Sequence, residues 1–376
     1  MRRFGVVFAL VLVFVGVLSG AVLGLSKKTV VTTTTSTTTT TTPIERPQAP
    51  WKVATASARG VMVDYRMIDL SGVMFRAIRL RARTTLLRWH VGYQDPPTSG
   101  RTIPVDAGSS INWPNEGVAG VVAVFNGGFK VAAHAGGSMV DGVTLSPLVR
   151  GDMTLAIDAA GHWKMGVWAP GFPGSAFHAI AYRQNLGPMI ANGSITKAVL
   201  DTNPLNLGSP LKGKVLEPRS ALGIDAKGNL IFVATMWGVS PTYIARALIA
   251  AGAVEGMQLD INPYWPIAGA GFAVLHHPGD YNVQIPFSEH NPDVFNTGWE
   301  RDFFVAVAEP PSWNCSWKSA GLGPLTGLAQ PQPLHEVCSA GPLAVTTTTA
   351  ATNATRTSVS SSSTDSGPVS LVSRVG

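Results

Sequence analysis

The stretch from Arg219 to Trp265 most narrows what this chain can fold into, because each of its boundaries has a local physical cause. Arg219-Ser220-Ala221-Leu222-Gly223-Ile224-Asp225 runs to a turn at Lys227-Gly228, followed by the β-rich run Leu230-Ile231-Phe232-Val233. Gly228 supplies the positive φ that a tight hairpin needs. Ser240 can cap a helix whose first position Pro241 pre-sets, and Gly252 suits the left-handed residue that ends it. Next comes Gln258-Leu259-Asp260-Ile261-Asn262-Pro263-Tyr264-Trp265. The predicted order is strand, hairpin, strand, helix, strand, with Asp260 where the last strand meets an aromatic, Pro-containing loop. Loops carried at strand ends are frequent sites of chemistry.

Elsewhere the signals are those of strands. Val61 to Arg66 and Phe75 to Arg83 alternate with a period of two, the mark of half-buried strands. In the second, Arg79, Arg81 and Arg83 share one face and Ile78, Leu80 and Ala82 the other. Two readings of this basic strip stand: a surface that holds an anionic polymer, and a solvated sheet face whose charges protect an edge. No aromatic residue interleaves with the arginines as single-stranded nucleic acid prefers, so nucleic acid is not an expected partner. Gly117 to Phe125 is a valine-rich apolar run that predicts a buried strand, with Asn126-Gly127-Gly128 making a sharp turn behind it. Ala135 to Leu145, carrying Gly136, Gly137 and Asp141-Gly142, reads as a mobile loop and a hairpin. Thr154 to Ile157 and Trp163 to Trp168 pair across Asp158–Gly161, and Phe303 to Val307 is the closing strand. The expected class is α+β: a mixed, largely antiparallel β-sheet core with few helices, in a single globular domain with disordered flanks. No internal repeat, P-loop, dinucleotide fingerprint or HExxH motif occurs.

The flanks have a different composition. Phe4 to Leu25 is an uninterrupted apolar run behind Arg2 and Arg3, and at about 20 residues it matches a bilayer span better than a short signal-peptide core. Cleavage near Ser19-Gly20-Ala21 is the alternative, giving a secreted protein. Thr29 to Thr42 is almost pure threonine and Thr346 to Ser363 repeats that composition, so neither has apolar residues with which to form a core. Only two cysteines occur, Cys315 and Cys338. In an exported protein they most simply form one disulfide, closing a loop of about 24 residues and stabilising it by roughly 3 kcal/mol. Lys and Arg number 28 against 22 Asp and Glu, an excess that favours anionic partners without identifying a fold.

Three ordered segments resemble one family. Arg219-x-Ala-Leu-Gly-Ile-Asp225 with Leu259-Asp260, Asn126-Gly127-Gly128-Phe129, and Gln184-Asn185-Leu186-Gly187-Pro188 with Asn192-Gly193 are similar to motifs of the phosphodiester glycosidases, relatives of the lysosomal uncovering enzyme. One departure stands out. The family's usual Leu-Asp-Gly-Gly-Gly-Ser is here Leu259-Asp260-Ile261-Asn262-Pro263-Tyr264, so the aspartate is kept and the glycines behind it are not. The implied organisation is a signal anchor over 1–28, a Thr-rich linker over 29–50, a phosphodiester glycosidase-like domain over 51–310, a disulfide-closed extension over 311–345 and a Ser/Thr-rich tail over 346–376.

The resemblance implies hydrolysis of a sugar-1-phosphodiester on cell-wall or exopolysaccharide material. Asp260, Arg219 and Asn126 are the expected catalytic residues: a base, nucleophile or oxocarbenium stabiliser, a guanidinium for phosphate, and an amide for sugar or phosphate oxygens. Gln184, Asn185, Asn262, Tyr264, Trp265 and Asp141 are the expected substrate contacts. Asp141 and Asp225 are also candidates for a second carboxylate, Asp225 standing in a hairpin turn. A divalent cation such as Ca²⁺ is compatible with phosphate binding, although no EF-hand loop or other ligand set requires one. The alternative is a surface protein that binds a glycan or phosphoglycan without turnover, motivated by the altered loop after Asp260.

Overall fold

The computed structural model describes residues 48–103, 107–117, 119–200, 207–208, 214–275, 281–285, 291–309, 315–319 and 334–338. The chain divides into two units, Met1–Ile44 and Glu45–Gly376; the first lies outside the described residues, and the architecture is that of the second.

The period-two segments near the N-terminus become β1 (Lys52–Ser57), β2 (Gly60–Leu70) and β3 (Val73–Leu80), followed by β4 (Thr85–His90). The valine-rich run becomes β5 (Val121–Asn126), buried at every position. Two hairpins follow: β6 (Ser138–Val140) with β7 (Val143–Ser146), and β8 (Met153–Asp158) with β9 (Trp163–Val167). β10 (Ala179–Gln184), the short β11 (Ile190–Ala191) and β12 (Ser194–Ile195), and a one-turn helix α1 (Lys197–Leu200) lead to β13 (Glu217–Asp225). β13 turns through Gly228, whose φ is +82°, into β14 (Leu230–Val239). Helix α2 (Pro241–Ala250) has Pro241 in its first turn and connects to β15 (Ala253–Ile261). The last elements are β16 (Ala268–Leu275), β17 (Val283–Ile285), α3 (Val294–Thr297), β18 (Phe303–Ala308), β19 (Cys315–Ser319) and β20 (Leu334–Cys338).

These strands form three sheets. The large one runs β12-β11-β15-β13-β14-β3-β2-β1-β20-β19, and the two smaller ones run β7-β6-β10-β8-β9 and β17-β16-β5-β18-β4. Pairing is antiparallel apart from the contact of β1 with β20. The α+β class with a largely antiparallel core and few helices is what the structure shows. β18 pairs on both sides, with β4 and β5, so it lies inside its sheet.

Alternation sorts the side chains into layers. Leu222, Phe232, Ile78 and Leu80 point from the large sheet into the central core, where they meet Phe125, Phe304, Leu155 and Met165 of the smaller sheets. Their sequence neighbours Ala221, Ile231, Val233 and Ala77 point the other way, onto Ile244 and Leu248 of α2. On β18, Phe304 and Ala306 face the central core, while Phe303 and Val305 pack with Phe295 of α3. Each large apolar side chain buried in these layers contributes about 1.5–3 kcal/mol relative to exposure.

Two expectations about the flanks are corrected. The apolar run Phe4–Leu25 lies outside the described residues, and no described helix is long and apolar enough to cross a membrane. The longest, α2, has 10 residues where a span needs about 20. The single-pass membrane anchor with an extracellular domain is withdrawn. The Cys315–Cys338 disulfide is withdrawn as well: none occurs among the described side chains, and the structure gives for these two residues only their opposed places in the β19–β20 register.

Candidate active site

The site forms where β5, β15 and the lead-in to β18 end side by side. β5 stops at Asn126, directly opposite Phe303 on β18, so the residues before Phe303 lie beside the Gly127-Gly128 turn. Those residues are Arg301 and Asp302, 4% and 0% exposed. Charges this deep must be paired. Asp302 accepts hydrogen bonds from Arg183 Nε (2.7 Å) and Nη2 (3.2 Å) and from Trp89 Nε1 (3.0 Å). Arg301 Nη2 donates to the Gly128 carbonyl at 2.8 Å and meets Asp260 Oδ2 at 3.2 Å. The two glycines are required by proximity: a Cβ on Gly127 would overlap the Asp302 carboxylate, and one on Gly128 the Asn185 amide.

Asp260 reaches this place through an irregularity in β15. Arg219 pairs with Ile261 and Ala221 with Gln258, so two steps along β13 face three along β15. The extra residue re-aims the strand end, as bulges do. Gln258 accordingly bonds Arg219 on one side, whereas Asp260, two residues later, faces Arg301. The Asp260 N–H donates to Ser220 Oγ at 3.1 Å, and Oδ1 accepts from the Ile261 N–H at 2.9 Å.

A cavity of about 450 Å³ opens here, lined by Phe129, Lys130, Ala132, Ala133, Asp260, Ile261, Asn262, Tyr264, Trp265 and Arg301. Among the described residues Asp260 is its single lining carboxylate, set against the cations Arg301 and Lys130. Burial pushes the Asp260 carboxyl up to about 6, with Arg301 and the Ile261 N–H pulling the other way. The Arg301 guanidinium stands 5.3 Å from the Trp265 ring, and its Nε is buried with no acceptor among the described residues. No cluster of three or more His, Cys, Asp or Glu side chains suited to a metal occurs among the described residues.

No family model and no curated protein matches the chain. Among solved structures, it is similar to the zebrafish N-acetylglucosamine-1-phosphodiester alpha-N-acetylglucosaminidase catalytic domain auto-inhibited by its pro-peptide. That likeness has 13% identity, covers 69% of this chain and 88% of that one, and has a TM-score of 0.42. A hypothetical protein from Synechocystis is similar at 12% identity over 65% of this chain and 62% of that one, with a TM-score of 0.40. A putative exported protein from Burkholderia pseudomallei is similar at 11% identity, covering 68% and 76%, with a TM-score of 0.33. At these scores the likenesses decide nothing about this chain's chemistry.

Of the residues singled out in the sequence, Asp260, Asn262, Tyr264 and Trp265 line the cavity. Asn262 Oδ1 is occupied by the N–H groups of Tyr264 (2.8 Å) and Trp265 (3.0 Å), so its amide shapes the loop. Its φ of +148° is a conformation that favours glycine, the residue the resembled family carries at this position.

The others stand behind or away from the cavity. Asn126 accepts from the Ile267 N–H and donates to Ser220 Oγ, which in turn holds the Asp260 backbone. Asn185 ties the Phe129 N–H (2.8 Å) to the carbonyls of Gln258 and Leu259, fastening the Asn-Gly-Gly-Phe turn to β15. Gln184 is occupied by Gly137, Val149 and Thr154. Arg219 is bonded to Val239 O (2.7 Å), Gln258 Oε1 (2.8 Å) and Val215 O (2.9 Å), and burial lowers its pKa to about 10. Its guanidinium does not line the cavity, whereas that of Arg301 does. Asp141 stands in the exposed β6–β7 turn with a φ of +44° and lines a different cavity with Arg88 and Trp89. Asp225 accepts from the N–H groups of Lys227 (2.8 Å) and Asn229 (2.9 Å) within its hairpin.

Sequence reasoning missed Arg301 and Lys130. A signal for Arg301 was present: Arg301-Asp302 abuts Phe303–Ala308, a wholly apolar strand, and two charges entering a buried strand require partners.

Proposed function

We propose that this chain is a glycosidase that hydrolyses a sugar-1-phosphodiester at the Asp260 cavity. The observation that carries the reading is the lining itself: one carboxylate with a raised pKa, two cations, and the aromatic side chains of Tyr264 and Trp265. The meeting of three segments that are distant in sequence, through the Asn126–Ser220–Asp260 and Phe129–Asn185–Leu259 contacts, supports it further.

In the proposed reaction the bond from C1 of the sugar to the phosphate oxygen breaks, and the phosphate monoester departs with the electron pair. Water adds to C1 and gives its proton to the Asp260 carboxylate. Arg301 and Lys130 offset the charge gathering on phosphate. Trp265 and Tyr264 present faces to the sugar. Hydrolysis of an ordinary glycoside uses a second carboxyl group to protonate a poor leaving group. A phosphate monoester is stable as an anion and leaves unprotonated, so a single carboxylate suffices. Asn126 and Asn185 act in this reading as positioning residues, and Arg219 as a structural one.

A specific observation favours a second reading, a glycan- or phosphoglycan-binding protein without turnover: Asp260 is already ion-paired at 3.2 Å, and the loop behind it has Asn262 and Pro263 in place of glycines. The full chain incubated with sugar-1-phosphate methyl diesters separates the two. Release of free sugar, abolished in Asp260→Asn, supports the hydrolase. Saturable binding with no release supports the second reading, and neither binding nor release contradicts both.

A further inference from the structure

At the other end of the large sheet, roughly 17 Å along β13 from Ser220 to Asp225 at about 3.4 Å per residue, three turns converge. The β1–β2 turn brings Arg59 and Gly60, the β3–β4 turn Arg81, Arg83 and Thr84, and the β13–β14 turn Lys227 and Asn229. Together with Val61 they enclose a cavity of about 640 Å³.

Its neutral polar groups are already engaged. Thr84 Oγ1 donates to the Val61 carbonyl at 2.8 Å. The Asn229 amide accepts from the Ala82 N–H at 3.2 Å and donates to Asp225 Oδ2 at 2.8 Å. What faces the cavity is charge: Arg59, Arg81, Arg83 and Lys227, with no carboxylate in the lining among the described residues. The acids nearby cancel only part of it, and among the described residues no ion pair engages Arg83 or Lys227. Asp64 is shared between Arg79 and Arg81, so it neutralises one of the two. Glu309 pairs with Arg59 at 3.2 Å, and the Asp225 carboxylate is turned onto backbone N–H groups of its own hairpin. Arg81 Nε is buried with no acceptor among the described residues.

Among the described residues no aromatic ring lines this cavity, and its two neutral polar side chains already spend hydrogen bonds on the protein, so stacking on a sugar or base is not on offer and charge is the main feature a ligand meets. The volume exceeds that of one phosphate. We propose that this cavity is a second binding site, reading charge alone, for a linear anion of closely spaced phosphates. The inference does not rest on the reading given for the Asp260 cavity.

The test titrates the full chain with sodium tripolyphosphate by calorimetry, alongside Arg83→Ser/Lys227→Ser. Both residues are exposed, so the variant's unliganded Tm is expected to stay at the wild-type value. The control is Arg150→Ser/Lys197→Ser, which removes the same net charge from exposed positions outside the cavity. The expected result is wild-type binding that weakens with added NaCl, a loss of about tenfold or more in the cavity variant and little change in the control. Binding recovered in Arg83→Lys/Lys227→Arg would strengthen it. Absence of binding, equal loss in both variants, or tighter binding of a single-stranded oligonucleotide with the same number of phosphates would overturn it.

Discussion

Two buried Arg–Asp pairs stand next to each other in this molecule, and they differ in what surrounds them. Arg183 and Asp302 are 1% and 0% exposed, joined by two hydrogen bonds, and none of their atoms lines the cavity. Burial pulls the Arg183 pKa down, but the Asp302 charge and hydrogen bond together with the charges of Asp95 and Asp260 outweigh it, and the net direction is up. Arg301 and Asp260 make one 3.2 Å contact, and both line the cavity. Here burial dominates, and the Asp260 carboxyl rises from 3.8 to about 6. A raised carboxyl means that its ionisation opposes folding. The stability it confers is full below about pH 4 and declines as the pH rises through about 6. A completed pair thus acts as a structural clamp, whereas a loosely completed pair beside open space is suited to exchange a proton and meet a ligand.

Changes at three arginines can break or sharpen this comparison. Arg183→Ala leaves Asp302 buried and uncompensated, and is expected to cost about 3–5 kcal/mol in urea unfolding. A loss below about 1 kcal/mol would mean that the sealed pair is not a clamp. Arg301→Gln removes one charge-assisted contact at the cavity. A fall of roughly 10- to 100-fold in kcat/KM on a sugar-1-phosphate diester is expected, with a smaller stability loss than Arg183→Ala; the reverse ranking would exchange the roles of the two pairs. Arg219→Gln, on the side of β13 away from the cavity, should lower stability by about 1–3 kcal/mol and leave kcat/KM within about threefold. A large loss of kcat with unchanged stability would place Arg219 back among the catalytic groups.

Much of the fold was legible because it is written in periods of two and in turn residues. Ile78 and Leu80 against Arg79 and Arg81, the Lys227-Gly228 turn, and Pro241 opening α2 each have a local cause that the three-dimensional structure repeats. The site was legible only in part. Asp260 stands at a strand end where chemistry was expected, yet the extra residue in β15 decides which way it faces, and side-chain period alone does not contain that information. Arg219 was a reasonable choice on its chemistry. In the folded chain its three hydrogen-bonding nitrogens are occupied by Val239, Gln258 and Val215. Gln184 and Asn185 teach the same lesson: an amide that looks available in a sequence is, once buried, usually already bonded.

The central claim is that Asp260 acts as its carboxylate at the mouth of a partly desolvated cavity. It is tested most directly by kcat/KM for a sugar-1-phosphate diester measured from pH 4 to 9, for wild type and Asp260→Asn. The account predicts a plateau at high pH, a fall of about tenfold per unit below about pH 6 in wild type, and a low, flat profile in the variant. A wild-type profile that is level through pH 6, or a variant that keeps the wild-type rate, would contradict it.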